Sequence, residues 1–188
     1  KCKQTKNRKK DGDVQLHGVM LFWVKLLVKN LLTIIIPRHV ERSLNIKKEL
    51  EGLNLKVILR STNKKIFKNS DIYLVDTYGE TNKFYKIVNT VYLGGSFIKH
   101  GGQNPIEPAR VGANIIHGPN INNFREVYKL LYDKKIAYQA NNAKQLLYNV
   151  EKSIKNLKNN KSKSFKIKNI FKSILKTTTI EINEILKN

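Results

Sequence analysis

From Leu31 onward, short apolar runs alternate with helix-length amphipathic segments, and that rhythm admits few folds. The runs are short enough for strands and end at turn residues, whereas the intervening segments repeat their apolar residues at helical spacing. Strands separated by helices pair in parallel, because a parallel neighbour needs a crossover long enough to hold a helix. Strands are expected at 32–36, 56–60, 71–75, 91–93, 114–116 and 136–138, with helices at 43–53, 80–88, 106–111, 123–132 and 143–157. The implied fold is α/β, a Rossmann-like doubly wound parallel sheet over 31–155. Segment 1–30 is basic and apolar by turns, and 156–188 reads as a lysine-rich linker followed by a helix at 167–186.

The charge balance limits the partners. The 188 residues carry a formal net charge of +22, which draws a protein to polyanions. Nearly all of that charge is lysine: arginine occurs only at Arg8, Arg38, Arg42, Arg60, Arg110 and Arg125. Readers of bases and phosphates favour the bidentate guanidinium, so the lysines read as a solvated surface, compatible with weak attraction to an anionic membrane face. A basic nucleic-acid-binding module is the competing reading from charge alone. Against it, the chain has no reader motif and no aromatic residues spaced for base stacking, so no specific nucleic acid is expected.

Cys2 is the only cysteine, which excludes an intrachain disulfide and a cysteine metal site. The apolar stretch 14–28 is interrupted by Gln15, His17 and Lys25 and falls short of the ~20 residues that span a bilayer. The opening residues lack an initiating methionine and read as interior to a longer protein.

Residues 94–109, GGSFIKHGGQNPIEPA, hold the densest functional signal. Gly94, Gly95 and Ser96 end a buried strand where backbone must pass close to a ligand. Asn104 is a good N-cap, and Pro105 suits the first helical position because its missing N–H would have been unpaired anyway. The amides of Gly101 to Asn104 would then face an anion, aided by the helix dipole. Glu107, one turn in, can accept hydrogen bonds from ribose hydroxyls. The plain alternative is an ordinary glycine-rich strand-to-helix loop.

Ligands of open α/β sheets sit beyond the carboxyl ends of the strands, and two further motifs fall there. The first strand delivers Pro37, Arg38 and His39, and the third delivers 76–80, DTYGE. Arg38 can fork onto a phosphate, or pair with Glu41 as a surface salt bridge. His39 reads as a phosphate donor or general acid, or as a satisfied structural residue. Asp76 and Glu80 are spaced so that Asp76 can cap a helix whose first turn holds Glu80.

Together, PRHVER (37–42), DTYGE (76–80), GGSFIKHGGQNPIEPA (94–109) and GPNINNF (118–124) resemble, in order and spacing, the C-terminal half of the 3-deoxy-D-manno-octulosonic acid (Kdo) transferases of lipopolysaccharide synthesis. The resemblance implies the C-terminal, donor-binding domain of a GT-B glycosyltransferase, with CMP-Kdo as donor, a lipid A precursor as acceptor, and no metal or other cofactor. It carries the CMP contacts onto Pro37, Arg38, Tyr78, Gly79, Glu80, Asn104, Pro105, Ile106 and Glu107, and lines the donor pocket with Ser96, Gly101, Gly102 and Gln103. Those loop tips are expected to meet at one pocket. The family works by inversion at the cytoplasmic face of the bacterial inner membrane.

Its catalytic base belongs to an N-terminal domain, so no catalytic residue is expected in this chain. The chain is read as a fragment, inactive alone, whose base comes from elsewhere, including from a separate N-terminal chain. Residues 1–30 depart from the family pattern, which suggests the remnant of a split gene. Another GT-B donor domain using a uridine diphosphate sugar is the nearest alternative.

Overall fold

The structure is a computed structural model that describes residues 31–99 and 101–155. The expected helix at 167–186 and the divergent segment 1–30 lie outside the described residues. The chain falls into two compact units divided after Thr81.

In the first unit, β1 (Thr33–Ile35), β2 (Val57–Leu59) and β3 (Ile72–Leu74) form a parallel sheet in the order β1-β3-β2. Thr33 and Val57 both lie opposite Ile72, so β3 is central and all three strands run in one direction. Helix α1 (Ser43–Gly52) makes the crossover from β1 to β2. It buries Leu50 beside Leu55, Ile72 and Leu74, with Ile35, Ile46, Leu53, Val57 and Leu59 packed around them. Burying each large aliphatic side chain contributes about 1.5–3 kcal/mol.

The second unit also holds a three-stranded parallel sheet, of β4 (Thr90–Leu93), β5 (Asn114–His117) and β6 (Ala137–Gln139), but in the sequential order β4-β5-β6. Helix α2 (Thr81–Tyr85) precedes β4, α3 (Ile106–Arg110) joins β4 to β5, α4 (Arg125–Asp133) joins β5 to β6, and α5 (Ala143–Lys155) follows. Every residue of β5 is buried, as a central parallel strand covered on both faces requires. Its core gathers Leu93, Ala109, Ile115, Tyr128, Leu131, Ile136 and Ala137. The parallel α/β class is thus borne out, with the strands hydrogen-bonded in two sets of three.

Candidate functional site

The first unit brings PRHVER and DTYGE together. Because β1 and β3 are parallel and in register from Thr33↔Ile72 to Ile35↔Leu74, their carboxyl ends open at one edge of the sheet. There the Tyr78 hydroxyl donates to the Glu41 carboxylate. That bond holds the Glu41 carboxyl below its ordinary range and pushes the Tyr78 phenol up. The alternative reading of Arg38, a salt bridge with Glu41, is not seen; Glu41 is engaged by Tyr78. Arg38 is exposed and makes no ion pair among the described residues, and His39 is exposed beside it.

The two carboxylates of DTYGE have separate tasks. Glu80 accepts from Arg60 Nε at 3.1 Å and Nη2 at 3.3 Å, and from the Thr77 hydroxyl at 2.5 Å. The hydrogen bond to Glu80 raises the Arg60 guanidinium further above neutrality. Asp76 was expected to cap the following helix. It instead accepts from the Ser61 amide at 2.8 Å and the Ser61 hydroxyl at 2.5 Å, tying β3's end to the 3-10 turn Arg60–Thr62. Burial alone would raise Asp76, but the Ser61 hydrogen bonds outweigh it and the carboxyl is lowered. Spacing along the chain suggested a local cap, whereas Ser61, 15 residues away, was the stronger donor pair.

In the second unit GGSFIKHGGQNPIEPA and GPNINNF interlock. Ser96 is fully buried: its hydroxyl donates to the Leu93 carbonyl at 2.7 Å and accepts from the Gly118 amide at 2.8 Å. The Asn120 amide and side chain both donate to the Ser96 carbonyl, at 2.8 and 3.1 Å. Expected in the pocket lining, Ser96 is a strut between the ends of β4 and β5. A Cβ on Gly118 would lie 2.5 Å from the Ser96 carbonyl oxygen, closer than real Cβ contacts come.

Beyond this strut the chain turns through Gly101 and Gly102, whose φ of +79° and +76° lie in the left-handed region that side chains other than glycine's resist. The carbonyl of Gly101 accepts from the Asn123 amide at 3.4 Å. Among the described residues the Gly102 and Gln103 amides donate no hydrogen bond, so they remain available to an anion. Pro105, not Asn104 as expected, stands at the N-cap and no side chain caps there; Asn104 precedes it, its Oδ1 accepting from the Ile106 amide at 2.9 Å. The helix begins at Ile106, the expected bound, with the Pro105 carbonyl accepting from the Ala109 amide, so Pro105 is not the first helical residue. Pro105 is buried in the fold, which leaves its neighbours Asn104 and Glu107 exposed. At five residues α3 is little more than one turn, so the dipole invoked for anion binding is weak and the glycine-loop amides carry that task. Glu107 accepts no hydrogen bond among the described residues. Burial pushes the Tyr85 phenol up, with the Glu107 charge adding to it.

Sequence reasoning passed over His117. It is completely buried at the end of β5, with Nδ1 2.6 Å from the Gly118 carbonyl and Nε2 2.7 Å from the Tyr132 hydroxyl. A carbonyl can only accept, so Nδ1 carries the proton and Nε2 takes the Tyr132 hydrogen. Burial lowers its basicity, against a smaller opposing effect of the Gly118 bond, and the ring lies 4.3 Å from that of Tyr128. A histidine closing an apolar strand directly before a glycine was the available signal. Arg60 was also passed over, although it stands at the end of β2 as Arg38 stands beyond β1.

Among the described residues no group of three or more His, Cys, Asp or Glu is placed to hold a metal ion, and no helix is long and apolar enough to cross a membrane.

No family model matches the chain. It is similar to curated 3-deoxy-D-manno-octulosonic acid transferases: 33% identical to that of Haemophilus influenzae over 132 residues, which are 70% of this chain and 30% of the relative. The enzyme of Rickettsia typhi is 36% identical over 67% of this chain and 27% of its own length, and that of Aquifex aeolicus 26% identical over 77% and 41%. The chain thus spans under a third of the length of the first two. Among solved structures it resembles the C-terminal CMP-Kdo binding domain of WaaA from Acinetobacter baumannii, with a TM-score of 0.66 and 20% identity over 84% of this chain and 96% of that one. By sequence the chain is a relative of the 3-deoxy-D-manno-octulosonic acid transferases, and its fold is that of the C-terminal domain of a GT-B glycosyltransferase.

Proposed function

We propose that this chain is the donor-binding part of a Kdo transferase, holding CMP-Kdo while Kdo passes to a lipid A precursor in lipopolysaccharide synthesis at the cytoplasmic face of the inner membrane. The observation that carries this reading is that one stretch of chain resembles Kdo transferases in sequence and a CMP-Kdo binding domain in fold. In the first unit Pro37, Arg38, Tyr78, Gly79 and Glu80 contact CMP. In the second unit the resemblance assigns CMP contacts to Asn104 to Glu107 and donor-pocket positions to Gly101, Gly102 and Gln103.

The chemistry is consistent with the residues. The donor carries one phosphate and one carboxylate, so an unpaired arginine and free loop amides suffice to balance it without a metal or other cofactor. The acceptor hydroxyl attacks the anomeric carbon, the bond from that carbon to the phosphate oxygen breaks, CMP departs with the electron pair, and configuration inverts. A guanidinium such as that of Arg38 is the kind of group that stabilises a departing phosphate. The hydroxyl proton needs a base. Glu41, Asp76 and Glu80 are each committed to internal hydrogen bonds, and the family resemblance assigns the base to an N-terminal domain, without which the chain is read as inactive.

A thermal-shift titration tests the donor assignment: CMP is expected to raise the unfolding temperature and UDP to leave it unchanged. Stabilisation by UDP alone would move the chain to a uridine-nucleotide transferase.

A further inference from the structure

The loop between β2 and β3 carries two adjacent apolar side chains facing outward, Ile66 at 48% and Phe67 at 63% exposure. A single exposed apolar residue needs no explanation, but an adjacent aromatic and aliphatic pair does. Lys64, Lys65 and Lys68 bracket the pair, all are exposed, and none makes an ion pair among the described residues. From residue 60 to residue 70 the chain holds no acidic residue.

The loop presents this pair on a fixed backbone. The Phe67 amide donates to the Ser70 hydroxyl at 3.0 Å, the Ser70 amide donates to the Phe67 carbonyl at 3.0 Å, and Ser70 itself is buried. At the other end the Thr62 hydroxyl donates to the Leu59 carbonyl at 2.8 Å, and Arg60 reaches Asn63 at 3.0 Å. Both backbone groups of Phe67 are therefore anchored inward while its ring points out. An apolar tip inside a collar of unpaired lysines matches an anionic bilayer, where the tip enters the interface and each ammonium meets a headgroup. Nucleic acid would meet the lysines but leave Ile66 without a partner.

We propose that the 64–68 loop is a membrane-docking tip that inserts Ile66 and Phe67 into an anionic lipid surface. This stands independently of the donor reading, since it uses none of the residues assigned to CMP. The test is co-sedimentation of the full chain with phosphatidylcholine vesicles with and without phosphatidylglycerol, at a salt concentration high enough to screen the diffuse charge of the chain. The native protein is expected to bind the anionic vesicles preferentially. The Ile66→Ser, Phe67→Ser double variant should bind them about tenfold more weakly with an unchanged unfolding temperature. A control pair, Leu44→Ser and Ile87→Ser, removes apolar groups that are equally exposed elsewhere, at 63% and 69%, and should bind as the native chain does. Equal binding by the 66/67 variant, or an equal loss in the control, overturns the proposal. So does tighter binding of single-stranded RNA that depends on the same two residues.

Discussion

Arg60 grips Glu80 with a fork, Nε and Nη2 reaching the two carboxylate oxygens at 3.1 and 3.3 Å. The pair joins the carboxyl end of β2 to the motif beyond β3 and orients a carboxylate assigned to CMP. Replacing Arg60 by alanine should leave Glu80 to rotate about Thr77. We expect CMP affinity to fall by roughly threefold to tenfold, the equivalent of one mispositioned hydrogen bond, as read by calorimetric titration. Unaltered affinity would show that Glu80 takes no part in binding.

The Ser96–Gly118 contact sets a stability test. In Gly118→Ala the new methyl meets the Ser96 carbonyl oxygen at 2.5 Å and the Phe97 nitrogen at 2.7 Å, and backbone on that side has little room to yield. A loss of about 1–3 kcal/mol in urea unfolding is expected, typical of overpacking. Gly52→Ala is the contrast: nothing lies within 4 Å of its added methyl, and alanine favours the helix, so this variant should be neutral or more stable by up to about 1 kcal/mol.

His117 makes stability depend on pH. Its folded basicity lies below the ordinary 6.5, so the unfolded chain takes up this proton first. The stabilising contribution is whole above about pH 6.5 and drains away as pH falls towards the depressed folded value, at up to about 1.4 kcal/mol per pH unit. Comparing unfolding at about pH 7 and pH 5 should show the native chain losing more stability than His117→Gln. Equal losses would remove His117 as the cause.

The strand and helix positions were readable because each apolar run has one use: residues such as Ile72, Leu74, Ile115 and Ile116 are buried on parallel strands within a residue or two of the expected bounds. The Asn104 bond to the following turn was readable because it is local, spanning two residues, although Pro105 and not Asn104 stands at the N-cap. Pairings across the fold were not. Asp76 with Ser61 and Glu80 with Arg60 lie 15 and 20 residues apart, and nothing along the chain says which donor wins. Ser96 illustrates the same limit, since a serine after two glycines has the composition of a ligand loop, yet Gly118, 22 residues on, takes its hydroxyl.

Arg38 and Gly102 separate binding from folding. Arg38 has no partner among the described residues, so Arg38→Ala should keep its unfolding temperature while losing about tenfold or more in CMP affinity, as for a guanidinium–phosphate contact. Gly102→Ala should lose both: its φ of +76° disfavours a side chain and the methyl comes within 3.1 Å of the Asn120 carbonyl, costing about 1–2 kcal/mol. Thermal unfolding and calorimetry on the two variants check this division.

The most direct measurement is a CMP titration followed by backbone amide resonances of the full chain. Saturable shifts at Gly101, Gly102, Gln103 and Glu107, and at Arg38 and Tyr78, with none of these from UDP, are what the donor-binding account expects. Shifts scattered over the lysines, or the same shifts with UDP, would contradict it.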